Sequence, residues 1–126
     1  MTAALDVDDV STGGEWVTLA VPPDLDQAYR AVTGWGAPEP PVGLGTVVAR
    51  LAWTRGRPMP PGGVLVEMTL RRLDIPPADN HWLARVDTDV VGVRDGRRRV
   101  RVTTQLRAAA DGRDVADVDF LLDWPA

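Results

Sequence analysis

Cysteine and lysine are absent from this chain, histidine, tyrosine and phenylalanine each occur once, and no apolar run approaches the length of a membrane span. Each shortage removes a class of chemistry. Without cysteine there is no disulfide, no thiolate nucleophile and no thiolate-ligated zinc, a composition compatible with a reducing cytoplasm. With His81 as the one histidine, a metal site would rest on carboxylates alone, so no metal and no other cofactor is expected. A bilayer span needs roughly 20 apolar residues, and Met1 to Asp6 offers neither a basic nor an apolar leader segment. The expectation is a cytoplasmic protein with no membrane partner. A net charge of −4 gives no overall attraction for nucleic acid, although Arg97-Arg98-Arg99 is a local basic patch.

What is present suits one core: 126 residues, 44% of them hydrophobic and 25% charged. Residues 1–14 are acidic and polar and end in Ser11-Thr12-Gly13-Gly14, which reads as a flexible lead-in to a single domain over 15–126. A β-prone stretch from Trp16 is stopped by Pro22-Pro23. Asp24 is a plausible N-cap, and Leu25, Ala28, Tyr29 and Val32 recur at helical spacing until Gly34. After the proline-rich Pro38-Glu39-Pro40-Pro41, a second helical pattern runs through Leu44, Val47, Val48, Leu51 and Ala52. It is apolar on most sides, with Arg50 the only charge before Trp53, and is expected to be buried.

From Val64 onward the period changes to two. The even positions Val64, Val66, Met68 and Leu70 form one apolar face, as do Trp82 to Val90, Val100 to Ala108 and Ala116 to Trp124. A two-residue loop at Asp95-Gly96 would set even positions against odd ones. A three-residue loop, Arg94-Asp95-Gly96 with a glycine bulge, pairs Val90 with Val100 and Val86 with Thr104 instead. The same device at Ala110-Asp111-Gly112 pairs Leu106 with Ala116 and Val102 with Phe120. Opposed charges then fall on the outer face, Asp89 across from Arg101 and Arg99 across from Asp123. The fold class is α+β: one antiparallel sheet wrapped around one buried helix, which is the hotdog arrangement.

The stretch Tyr29-Arg30-Ala31-Val32-Thr33-Gly34-Trp35-Gly36-Ala37-Pro38-Glu39-Pro40 resembles the MaoC-like hotdog family of R-specific enoyl-thioester hydratases and dehydratases. Those enzymes carry Asp-x-Asn-Pro-aliphatic-His after a tyrosine-containing helix and a Thr-Gly turn. Tyr29, Thr33-Gly34 and Pro38 match; Trp35, Ala37 and Pro40 stand where the family has its aspartate, asparagine and histidine. Hydration needs a base for water and an acid for the α-carbon, and neither tryptophan nor proline exchanges a proton. Related two-domain and two-subunit hydratases pair an active hotdog with one that lacks the catalytic residues and holds the acyl chain. The resemblance therefore implies a catalytically silent, acyl-thioester-binding subunit, working as a homo- or heterodimer on acyl-CoA or an acyl-carrier-protein thioester.

Several residues remain as candidates. Gly43 and Gly45 open the second helix, where free N–H groups could polarise a thioester carbonyl; equally, they could serve only close packing. Trp35 and Trp53 flank that helix and, with Pro38, are candidates to line an acyl tunnel, or else to close the core. Glu39 is the remaining acid for a second reading, a hotdog thioesterase, since enzymes of that type use a carboxylate near the start of the central helix. A third reading is a small-molecule-binding hotdog with no thioester substrate. His81 reads as a turn residue, and Asp117, Asp119 and Asp123 as a solvated outer face.

Overall fold

The computed structural model describes residues 5–34, 36, 43–55 and 57–125. Strand β1 (Val17–Ala20) leads to helix α1 (Pro23–Thr33) and helix α2 (Leu44–Thr54), followed by β2 (Val64–Arg72), β3 (His81–Arg94), β4 (Arg97–Ala108) and β5 (Asp114–Pro125). The five strands form one antiparallel sheet in the order β1-β3-β4-β5-β2. The sheet wraps α2, as the sequence pattern predicts: Leu44, Val48, Ala49, Ala52 and Trp53 pack into a single core with the even residues of β3, β4 and β5. Tertiary burial dictates the strongly apolar composition of α2. Helix α1 has no buried residue; it starts on Pro23, whose fixed φ suits a first turn, and ends on left-handed Gly34.

The predicted registers are found, but the device that sets them differs. Val90 pairs with Val100 and Val86 with Thr104. The loop between them is the two-residue Asp95-Gly96, both residues left-handed with φ of 53° and 73°, and Arg94 pairs with Arg97. Val91 is an extra, bulged residue that restores the even-to-even pairing. At the next hairpin Leu106 pairs with Ala116 and Val102 with Phe120, and here the bulge is Val115, in β5.

Two other expectations are corrected. Leu5, Val7 and Val10 are buried, and Thr12 N–H donates to the Val86 carbonyl at 2.9 Å, so residues 5–14 are part of the packed structure rather than a loose lead-in. In β2 a bulge at Val66 breaks the even face: Leu65 lies opposite Leu122 and Met68 opposite Phe120, on the core side, while Val64 lies opposite Asp123 on the outer side. β2 is also less covered than its apolar face predicts, with Val64, Leu65, Val66 and Met68 all exposed.

Candidate functional site

Helix α2 carries two groups of site candidates, one at each end. At its start, Gly43 packs against Tyr29, and a methyl group on Gly43 would overlap the tyrosine hydroxyl. The atom overlapped is the far end of the tyrosine side chain, so a larger residue here would displace that hydroxyl; the contact joins the Tyr29 match to the helix entrance. Gly45 is not constrained in this way: a Cβ would meet Leu70 at 3.5 Å and Ala116 and Leu106 at 3.9 Å, all ordinary contacts. Packing is therefore tight at Gly43, against the end of one side chain, and ordinary at Gly45. Among the described residues the α2 N-terminus has no side-chain cap and no acid in its first turn. Thr46 takes up the Gly43 carbonyl through both its N–H, at 3.1 Å, and its hydroxyl, at 2.8 Å.

At the other end, Trp53 is 2% exposed and packs edge-on to Phe120, ring centroids 5.8 Å apart. Its indole N–H has no hydrogen-bond partner among the described residues. Trp53 and Phe120, with Met59, Leu65, Leu122 and Arg50, border a half-open apolar pocket of about 220 Å³ that sits between α2 and β2. Arg50, the one charge on the otherwise apolar helix, lies on the pocket side, a place its pattern in the sequence did not foretell. Leu65 could not be anticipated, because only the Val66 bulge turns it inward.

The structure does not bring the two groups together. Gly45 and Trp53 are eight residues apart on one helix, roughly 12 Å at 1.5 Å per residue. Trp35, Pro38 and Glu39 lie outside the described residues. His81 is exposed at the start of β3, and its carbonyl accepts from Ala109 N–H at 3.0 Å. Asp117, Asp119 and Asp123 lie on the outer face of β5, where Asp123 accepts from Arg99 Nε at 2.7 Å. That hydrogen bond, helped by the charge of Arg99, holds the Asp123 carboxyl below the usual range and raises Arg99 in turn. Among the described residues there is no cluster of three or more histidine, aspartate or glutamate side chains fit to hold a metal, and no helix is long and apolar enough to cross a membrane.

With this geometry, solved structures can be compared. The (R)-hydratase PhaJ1 of Pseudomonas aeruginosa superposes over 88% of this chain and 79% of its own, with a TM-score of 0.61 and 20% identity. The chain has the hotdog fold. An (R)-hydratase from A. caviae involved in PHA biosynthesis gives a TM-score of 0.62 at 12% identity, over 88% of this chain and 93% of that one. The ChsH1–ChsH2 complex of Mycobacterium tuberculosis gives 0.50 at 14% identity, over 91% and 97%. No family model and no curated protein matches the chain. At these identities the likeness establishes the hotdog architecture.

Proposed function

We propose that this chain is an acyl-thioester-binding hotdog protein of the MaoC-like type, catalytically silent in hydration, that works as a subunit of a hotdog dimer. The observation that carries the reading is the Trp53 pocket: an apolar cavity opening beside β2, the long strand at the edge of a sheet whose architecture is shared with two (R)-hydratases. Its size, about 220 Å³, suits a short acyl chain rather than a drug-sized ligand, since whole ligand pockets run to roughly 300–1,000 Å³. The exchange of a proton-transferring aspartate and histidine for Trp35 and Pro40 supports silence in the hydration step.

The dimer follows from β2. Nine residues of strand edge with exposed Val64, Leu65, Val66 and Met68 would invite aggregation unless a partner covers them. A second hotdog strand laid antiparallel on this edge closes the sheet's open side and roofs the pocket. The partner is another copy or a catalytic hotdog.

The test is hydration and hydrolysis of enoyl- and acyl-CoA thioesters by the purified protein, with Glu39→Gln alongside, together with binding read from tryptophan fluorescence. Binding without turnover is expected. Hydrolysis that disappears in Glu39→Gln would replace this reading with a thioesterase, and failure to bind any thioester would replace it with a hotdog for another small molecule.

A further inference from the structure

Among the described residues the large apolar side chains left exposed fall, Val32 apart, into two groups. One is β2 with Leu73 and Ile75 just after it; the other is Val90, Val91 and Val93 on β3. The first is the edge assigned above to a hotdog partner, and the second lies on a different edge. β1 pairs with β3 only from His81 to Ala84. Thr12 N–H then donates to the Val86 carbonyl at 2.9 Å, and Val86 N–H donates to the Thr12 hydroxyl at 3.2 Å. From Asp87 to Arg94 nothing among the described residues pairs with β3 on the side away from β4. Every residue of that stretch except Thr88 is exposed.

Because Thr12 holds both backbone groups of Val86, that residue points them away from β4, and by the alternation of an antiparallel strand so do Thr88 and Val90. Arg94 closes the Asp95-Gly96 turn against Arg97, so its own groups face β4 and those of Val93 face the open side. The extra residue Val91 accounts for the odd spacing between Val90 and Val93. It also sets the side chains. Asp87 and Asp89, opposite Thr103 and Arg101, lie on the outer face of the sheet, and past the bulge Gly92 and Arg94, opposite Arg99 and Arg97, lie on that same face. Without the bulge Arg94 would fall on the core side. The open edge is thus acidic at one end and basic at the other.

Such an edge is complementary to itself. Laid antiparallel on a second copy with Val90 against Val90, it sets Thr88 against Val93, Asp89 against Gly92 and Asp87 against Arg94, each twice. Every pair joins residues of one face and one backbone orientation, with the Val91 of each copy as the extra residue. The valine and threonine pairs exchange about six backbone hydrogen bonds. Asp87 and Arg94 meet in the non-hydrogen-bonded kind of pair, where Cα atoms are about 4.5 Å apart and side chains approach most closely. Within the subunit Asp87 faces the uncharged Thr103, and Arg94 reaches Asp95 at 3.8 Å with both side chains almost fully exposed, a weak and screened pair. A bulge and charges ordinarily keep strands off an edge. Here they choose the strand, since a second copy brings the matching bulge and the opposite charges. We propose that the β3 edge from Asp87 to Arg94 is a two-fold contact between copies of this chain. It is separate from the β2 edge and from the acyl-thioester reading, and with a different hotdog on β2 the assembly ends at two copies of each chain.

The experiment is sedimentation of the purified full chain over a range of concentrations, in a Val66→Lys background that puts a charge on the β2 edge. A single strand pair is a small interface beside the roughly 800 Å² per partner of a standard one, so dimer is expected at roughly 10–100 μM. Asp87→Arg and Arg94→Asp are each expected to weaken it about tenfold by setting like charges opposite one another. The two exchanges together are expected to restore it. Both residues are exposed, so neither change disturbs the core. Adding Val90→Lys, which brings two like charges together at the axis, is expected to leave monomer. A Val66→Lys protein that stays monomeric throughout, or that dimerises equally in every charge variant, would overturn the contact. A dimer that survives Val90→Lys would overturn the register. Hydrogen exchange identifies the occupant: the amides of Thr88, Val90 and Val93 are expected to gain protection as concentration rises, while those of Asp87 and Asp89 are held by β4 throughout. Protection of Thr88 and Val93 that ignores concentration would put another segment of this chain on the edge and overturn the second copy.

Discussion

The two edges of this sheet have the same backbone problem, a row of unpaired N–H and carbonyl groups, and resolve it differently. β1 is four residues long, and next to it the chain at Ser11 and Thr12 hydrogen-bonds across to Val86 of β3, so this edge is covered by its own chain as far as Val86 and β3 runs on to Arg94. Its surroundings are polar: Ser11, Thr12, Glu15 and Arg55 border a cleft of about 500 Å³ between β1 and α2. β2 is nine residues long, apolar and exposed, and a bulge is its one interruption. Each edge also has a tryptophan. Trp53 is sealed inside, beside the pocket under β2, whereas Trp16, leading into β1, lies on the outer face beneath Arg107 at 4.1 Å and Arg85 at 5.2 Å. On the proposed reading the long β2 edge is where a partner docks, while the other edge is covered by its own chain as far as Val86.

The tryptophans give the largest contrast. Trp53→Ala leaves a cavity in the core against Phe120 and is expected to cost about 3–5 kcal/mol in urea unfolding. Trp16→Ala loses two partly exposed cation–π contacts and is expected to cost about 1 kcal/mol. Between these lies the edge itself. Val66→Lys puts a charge on an exposed bulged residue, so the subunit still folds, and self-association measured by sedimentation is expected to weaken at least tenfold, about 1.4 kcal/mol. Thr18→Lys on β1 is expected to change nothing. Equal effects at positions 18 and 66 would mean that the two edges are not different, and the β2 interface would have to be abandoned.

How far the sequence foretold this depends on what each feature owes to side-chain pattern. The buried α2 and the core faces of β3, β4 and β5 were legible because a period of 3.6 or 2 is written directly in apolar residues, and the hairpin registers because only one pairing sets apolar against apolar. The bulges at Val66, Val91 and Val115 were not, since an extra valine in a strand carries no signature of its own. One such bulge decides that Leu65 reaches the pocket and Val64 does not. Coverage was not legible either: Val86 and Val90 share the predicted core face, but the first is fully buried and the second is 47% exposed. Of the site, Trp53 was legible as a tryptophan flanking the apolar helix and Arg50 was not, while the contact of Tyr29 with Gly43 joins two helices and needed the fold. The core role of Leu5, Val7 and Val10 was hidden among acids, where three apolar residues in six positions read as composition rather than as a packed turn.

The smallest expected effect is at the outer-face ion pair that joins β4 and β5. Arg99 and Asp123 face each other across β4 and β5 and are joined at 2.7 Å, chiefly by the hydrogen bond, which holds the carboxyl below its ordinary value. A carboxyl lowered in the folded state contributes stability that is fully present above the unfolded value of about 3.9 and disappears as pH falls through the folded value. Asp123→Asn should therefore lower the urea midpoint slightly and by the same amount from pH 7 to pH 5. The gap to wild type should then close below the ordinary carboxylate range. Because the pair is open to solvent, added salt should shrink the gap at neutral pH as well. A carboxyl resonance of Asp123 that titrates at or above the ordinary value would show that Arg99 does not hold it, and the outer-face pair would then contribute nothing to stability.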